Sequence, residues 1–343
     1  MKCKVWLYSA AALLLLGAAA ACGKGDNGGG GTPQPQPQPE DRLPLLEMLE
    51  EQASAYQKSE SVPTEHVYIC AHRAITVASV QLGLPENSIP CIEQAIAQGA
   101  DMVELDVRVT KDGVPMLMHD SSVSTTTDGS GNLSSLTYAQ IKAMRMHPRG
   151  KSTYPTVDGE PVRVPTLQEA LEVCKGRIYV NLDAKECGLE LLLSTIQAAD
   201  AFDDVMIYGY TATQKKEIIA WAYNNAHTWI AVHPYVGSPD GCSEYLTQSY
   251  YDCAKLFQYS EDTYYNNTTP KFGYKCHAKG VLSYSNSLNH DSEITTWYNQ
   301  YGKNELEGGP CAVLDRFVAS GSDFIQTNMT EYANLYFKEK GLR

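Results

Sequence analysis

The chain has 343 residues, 43 % of them hydrophobic and 20 % charged, which is enough apolar material for a packed core and excludes wholesale disorder. The formal net charge is −13, and because residues 1–43 sum to +1 the remainder carries −14. So acidic a body has no net positive field to gather nucleic acid or an anionic bilayer, and an anionic substrate would need a local cation.

Residues 1–22 read as a leader. Lys2 and Lys4 precede an apolar run ending at Ala21, the pattern of an export signal. The stretch Ala19-Ala20-Ala21-Cys22 resembles a bacterial lipobox, at which Cys22 is acylated and becomes the mature N-terminus; ordinary cleavage near an A-x-A site is the alternative. Residues 23–43 form a tether, with four glycines at 28–31 and alternating Pro and Gln from Pro33 to Pro39. Such chain is extended and cannot build a core. The expectation is an exported lipoprotein, periplasmic or at the cell surface, held to a membrane by its anchor alone.

Of ten cysteines, eight remain after Cys3 and Cys22 are set aside. An exported compartment permits disulfides, and Cys242 with Cys253 is the first pair to test. No C-x-x-C spacing occurs, which argues against structural zinc. Cys70 and Cys91 lie in apolar patterns and read as core.

Residues 44–65 carry an amphipathic helix from Pro44 to about Ser59, with Leu46, Leu49, Ala53 and Tyr56 on one face. From 66 to 343 strands and helices alternate. Strands are expected at 66–70, 102–109, 114–118, 177–182, 205–208, 228–232, 256–259, 280–284 and 324–327. Helices are expected at 87–98, 189–199, 215–224, 312–320 and from Thr330. Alternation of this kind implies parallel β/α units, and about eight strands in one stretch fit a (β/α)8 barrel of TIM type. A doubly wound sheet is the alternative, but no Gly-rich phosphate loop follows the first strand.

The first strand ends at His72-Arg73, and residues at strand C-termini face the active mouth of such a barrel. Glu104 and Asp106 stand at i and i+2, hence on one face of one strand. Adjacent carboxylates repel, so they need a cation between them or one stays protonated. An oxygen-only cluster suits Ca²⁺ or Mg²⁺. Met118-His119-Asp120 ends another strand, and Asn181, Asp183 and Lys185 repeat the alternate-residue pattern. Together these residues describe a metal site beside two proton-transfer groups and two fixed cations, which is what phosphodiester cleavage requires.

The ordered set His72-Arg73, Glu86-Asn87-Ser88, Glu104-Leu105-Asp106 and His119-Asp120 resembles the glycerophosphodiester phosphodiesterase family. So do Thr127 to Met144, Val164 to Leu171 and Ser320 to Glu331. The resemblance covers nearly all of 66–343. It implies a TIM-type barrel with a small insertion after the second barrel strand, a divalent cation, and hydrolysis of a small glycerophosphodiester to glycerol 3-phosphate and an alcohol. It makes His72 and His119 the acid/base pair, Glu104, Asp106 and Asp183 the metal ligands, and Arg73 and Lys185 the phosphate contacts. Asn181, His233, Gln258 and Asn286 are weaker candidates for substrate contact, and some of the many tyrosines of the second half could line a cleft.

Three positions depart from the family pattern. Ala74 stands where Gly is usual, Asp183 where Glu is usual, and Asn286 where Trp is frequent. Rival readings are a phosphatidylinositol-type phospholipase C or sphingomyelinase-D-like enzyme, which share the barrel and the histidines, and a lipoprotein that binds phosphorylated ligands without turnover.

Overall fold

The structure, a computed structural model, describes residues 42–59, 63–208, 212–228, 230–236, 256–259, 272–300 and 311–343. The leader, Cys22, the tether up to residue 41, the Cys242/Cys253 pair, and Tyr210, Tyr250, Tyr251, Tyr264 and Tyr265 lie outside the described residues, as does the Tyr235 side chain.

The strands in chain order are β1 (Tyr68–Ala71), β2 (Met102–Val109), β3 (Pro115–Leu117), β4 (Thr156–Val157), β5 (Glu160–Pro161), β6 (Tyr179–Glu186), β7 (Val205–Tyr208), β8 (Ala231–Val232), β9 (Tyr235–Val236), β10 (Leu256–Tyr259), β11 (Leu282–Asn286) and β12 (Phe324–Thr327). One sheet runs in the order β8-β7-β6-β2-β1-β12-β11-β10-β9, every neighbouring pair parallel. Its two ends, β8 and β9, are halves of a single run broken at His233-Pro234. The first half pairs with β7 and the second with β10, so one segment closes the ring. This is a (β/α)8 barrel. The strand expected at 114–118 forms as β3, but antiparallel to the end of β2, which places it off the ring.

Side chains alternate between the ring interior and the surrounding helices. Outward residues such as Val103, Leu105, Val180 and Leu182 join Ile92, Leu171, Leu192 and Ile196 of the helices in the main core. Inward residues Met102, Tyr179, Met206, Leu256, Leu282 and Phe324 form a separate layer at the lower end of the ring, and the N-terminal helix covers it with Leu45, Met48, Leu49 and Tyr56. That helix runs Leu45–Ala55, with Pro44 at its N-cap. Pro there loses no hydrogen bond, because the first turn has unmatched N–H groups in any case. Cys70 and Cys91 are buried, as their apolar settings imply.

The insertion follows β3. Met116, Met118, Val123, Leu133, Ile141, Met146, Val162 and Val164 give it a small core of its own. It includes the helix Tyr138–Ala143, capped reciprocally by Thr137 and Gln140, and the β4/β5 hairpin.

Candidate active site

Strand register builds the acidic cluster. Glu104 of β2 lies beside Asn181 of β6, and Asp106 lies beside Asp183. With all four side chains inward, Glu104, Asp106 and Asp183 each present an oxygen, and these lie within 4.8 Å of one another. Asp183 thus reaches the cluster despite being one methylene shorter than Glu. Exposure rises along β6 from 13 % at Asp183 to 28 % at Lys185, so the cluster sits just below the mouth of the ring.

Each carboxylate has fixed partners. Asn87 brackets Asp106, its amide donating to Oδ2 at 2.8 Å while its carbonyl oxygen accepts from the Asp106 backbone N–H at 3.1 Å. Asn87 does this with φ 54, a left-handed conformation that Asn tolerates better than most residues. Glu104 accepts the Arg73 backbone N–H at 2.9 Å. Lys185 donates to Asp183 and lies 3.4 Å from Asp106. Burial first, then repulsion from Asp106 and Asp183, holds the Glu104 carboxyl well above the usual range. Asp183 is raised chiefly by burial, with Lys185 opposing. Burial works against the Lys185 ammonium, but its contacts with Asp183 and Asp106 raise it overall.

The turn after β1 positions His72 and Arg73. Arg73 and Ala74 are both left-handed, at φ 51 and 59. For a residue with a Cβ this costs about 1 kcal/mol, which explains why Gly suits position 74 and locates the effect of Ala74 in the backbone rather than in the pocket floor. The turn delivers the Arg73 guanidinium to Glu86 at 3.0 Å and to Asp106 at 3.4 Å. Glu86 is also gripped by Arg149 of the insertion, at 2.7 and 3.1 Å. The His72 ring places Nδ1 3.1 Å from Asn328 Oδ1. Burial, reinforced by the Arg73 charge, pushes its imidazole down to about 4.

His119 is placed differently. Its backbone carbonyl accepts from Arg108 Nε at 2.8 Å, and its Nδ1 lies 3.0 Å from Asp120 Oδ1. Arg149 reaches Asp120 as well, at 2.7 Å. The insertion therefore ties the His119 carboxylate partner to Glu86 and, through it, to Arg73.

The weaker candidates divide. Asn181 and His233 are buried in the ring and face each other at 3.3 Å. His233 is pushed down to about 3 by burial, with Lys215 second, and its Nε2 has no hydrogen-bond partner among the described residues. Asn286 ends β11, and its Oδ1 accepts from the Leu288 N–H at 3.0 Å, which closes a local turn. Gln258 belongs to β10, but its side chain lies outside the described residues. Sequence reasoning did not single out Arg149, Asn328 or Asp291, the residues behind the two histidines. None of the three carries a local pattern that would mark it as a partner of a histidine.

The donor set fits a hard divalent cation. It is oxygen-only, mostly buried, and two of its three carboxyls are destabilised in their charged form, the condition a bound cation relieves.

The sequence model of the Glycerophosphoryl diester phosphodiesterase family matches residues 72–187. Glycerophosphodiester phosphodiesterase 1 of Mus musculus is 40 % identical over 126 residues, covering 36 % of this chain and 35 % of that protein. The chain thus spans about a third of the length of this curated relative. A Glycerophosphoryl diester phosphodiesterase from Parabacteroides distasonis superposes with TM-score 0.65 at 18 % identity, covering 87 % of this chain and 93 % of that one. A phosphodiesterase from Oleispira antarctica, solved with the product sn-glycerol-3-phosphate, gives TM-score 0.55 at 19 % identity over 79 % and 96 %. Both histidines, the three clustered carboxylates, Arg73 and Lys185 all fall inside the stretch that resembles the Glycerophosphoryl diester phosphodiesterase model, and the chain shares the barrel fold of the Parabacteroides distasonis protein.

Proposed function

We propose that this protein is a metal-dependent phosphodiesterase that hydrolyses small glycerophosphodiesters to glycerol 3-phosphate and an alcohol. The observation that carries the reading is the cluster of Glu104, Asp106 and Asp183, set by strand register beside Arg73 and Lys185 at the mouth of the ring. The product complex of the Oleispira antarctica neighbour supports the substrate class.

In this reading Glu104, Asp106 and Asp183 hold a divalent cation, Ca²⁺ or Mg²⁺. When bound, it supplies positive charge to the phosphoryl oxygens and so favours the transition state. Arg73 adds a fixed guanidinium, held in place by Glu86, and Lys185 adds a second charge. His72, neutral at ordinary pH, takes the proton of the attacking hydroxyl at Nε2. His119, oriented by the contact of its Nδ1 with the Asp120 carboxylate, gives a proton to the departing alkoxide. His233, with its unmatched Nε2, is the weaker candidate best suited to meet a substrate hydroxyl.

The leader composition supports export, with residues 1–22 removed, Cys22 acylated and residues 23–43 as a tether. Radiolabelled palmitate should enter the full-length protein and not its Cys22→Ala variant. The activity is tested by exhaustive chelation followed by return of Ca²⁺ or Mg²⁺, with glycerophosphocholine, glycerophosphoinositol and intact phospholipid assayed side by side. Loss on chelation and recovery with one cation on the small diesters is expected. Turnover of intact lipid alone would transfer the protein to the phospholipase or sphingomyelinase type, and binding without product would make it a binding lipoprotein.

A further inference from the structure

The environment of His72 extends to residues outside the matched stretch. β12 pairs with β1 in parallel register, Ala71 beside Thr327, so the residues that follow the two strands, His72 and Asn328, emerge side by side at the mouth. Asn328 bridges His72 and Asp291, the first residue of the helix Asp291–Gln300. Its Nδ2 donates to Asp291 Oδ2 at 2.8 Å and its Oδ1 lies 3.1 Å from His72 Nδ1. Asp291 is itself held by the hydroxyls of Thr327 at 2.8 Å and Ser287 at 3.2 Å.

Hydrogen-bond chemistry decides the rest. Asp291 accepts at both oxygens, the Thr327 and Ser287 hydroxyls at Oδ1 and the Asn328 backbone N–H at Oδ2 (3.4 Å), so the NH₂ group of Asn328 must face it. The carbonyl oxygen of that amide is then what His72 meets, and it too only accepts. The His72 proton is therefore confined to Nδ1, and Nε2 keeps its lone pair. Asp291 never touches the ring, yet it determines which ring nitrogen is the base.

We propose that Asp291 is a positioning residue that sets the tautomer of His72 through Asn328. This rests on the reading of His72 as the base. Substituting Asp291→Asn lets the new amide oxygen keep the bonds from Thr327 and Ser287, at the cost of the long 3.4 Å bond from the Asn328 backbone N–H, while its NH₂ group faces the Asn328 side chain. Asn328 then turns over, presents NH₂ to His72, and drives the ring proton to Nε2, where it blocks the lone pair.

Imidazole ¹⁵N shifts, assigned to His72 by comparison with His72→Gln, read the tautomer directly, alongside steady-state kinetics on a glycerophosphodiester. The wild type is expected to show Nδ1–H, and Asp291→Asn to show Nε2–H with kcat down about 100-fold and KM nearly unchanged. The exchange variant Asp291→Asn/Asn328→Asp restores an acceptor to Nδ1. It should recover the wild-type tautomer and most of kcat, and move the acidic limb of the pH profile upward because a carboxylate now adjoins the ring. Nε2–H in the wild type would overturn the proposal, as would an unchanged tautomer in Asp291→Asn or a folded exchange variant no better than the single one. If Asp291→Asn does not fold, the wild type and the exchange variant decide. A wild type with Nδ1–H and the tautomer shift, but without glycerophosphodiester turnover, would sink the functional reading and leave the relay standing.

Discussion

Asp106 at the mouth of the barrel and Asp323 at its underside are equally buried, each 1 % exposed, but their surroundings differ in kind. Asp323 precedes β12 and is alone among donors: Tyr56 Oη at 2.5 Å, His277 Nε2 at 3.0 Å, the Ser283 N–H at 2.8 Å and the Ser283 hydroxyl at 3.1 Å. Tyr56 stacks on His277 with ring centres 3.5 Å apart, which fastens the N-terminal helix to the ring. Asp101, also at the underside, accepts from the Ile69 N–H at 2.7 Å and pairs with Arg343. At the mouth, three carboxylates crowd together and two are held in a costly ionisation state. One end of the ring satisfies its acids and gains stability. The other sets acids against each other and keeps a place for positive charge, the pattern expected where a fold trades local stability for a site.

That contrast can be broken by exchanging the injuries. Asp183→Ala should reduce activity by about a thousandfold or more with the cation present, while the cation-free protein melts within a few degrees of the wild type, since a repulsive partner has been removed. Near-normal turnover would remove Asp183 from the ligand set. Asp323→Ala should do the reverse, costing about 3 kcal/mol in denaturant unfolding because buried Tyr56, His277 and Ser283 lose their common acceptor, with kcat per folded molecule unchanged.

Two smaller effects sharpen the comparison. Burial holds His72 near 4 and His233 near 3, both below the ordinary imidazole range of about 6.5. The unfolded chain therefore binds more protons than the native one between those values, so these two rings remove stability as pH falls from about 6.5 toward 4. The acidic limb of kcat/KM should accordingly lie near pH 4, and a limb near 6.5 would mean a base in open water. At the underside, Tyr56→Phe removes one hydrogen bond and keeps the ring stack, so a loss of about 1 kcal/mol with unchanged activity is expected in thermal unfolding.

How much of this was legible depended on locality. β2, β7, β10 and β12 appear at the bounds their apolar runs predict. The third ring strand was expected to stop at Leu182, where its apolar run ends, and instead continues to Glu186, in keeping with the alternate-residue pattern of Asn181, Asp183 and Lys185. A barrel mouth is an environment that accepts polar side chains on a strand. The helices Leu167–Cys174, Phe272–Ala278 and Asp291–Gln300 were not anticipated as helices. The last of them carries Asp291, and a residue 37 positions from its partner Asn328 leaves no periodic trace.

The sequence by itself determined what depends on near neighbours along the chain: the alternation that makes a parallel barrel, and the i, i+2 spacing that puts Glu104 and Asp106 on one face. Only the tertiary structure decided what depends on register and closure. It set Asp183 against Asp106, brought Asn328 beside His72, extended Arg149 from the insertion to Glu86 and Asp120, and let one run, 231–236, complete the ring. Each of these joins residues from separate strands or loops. Their meeting is fixed by how strands pair around a closed ring, a geometry that no local pattern encodes.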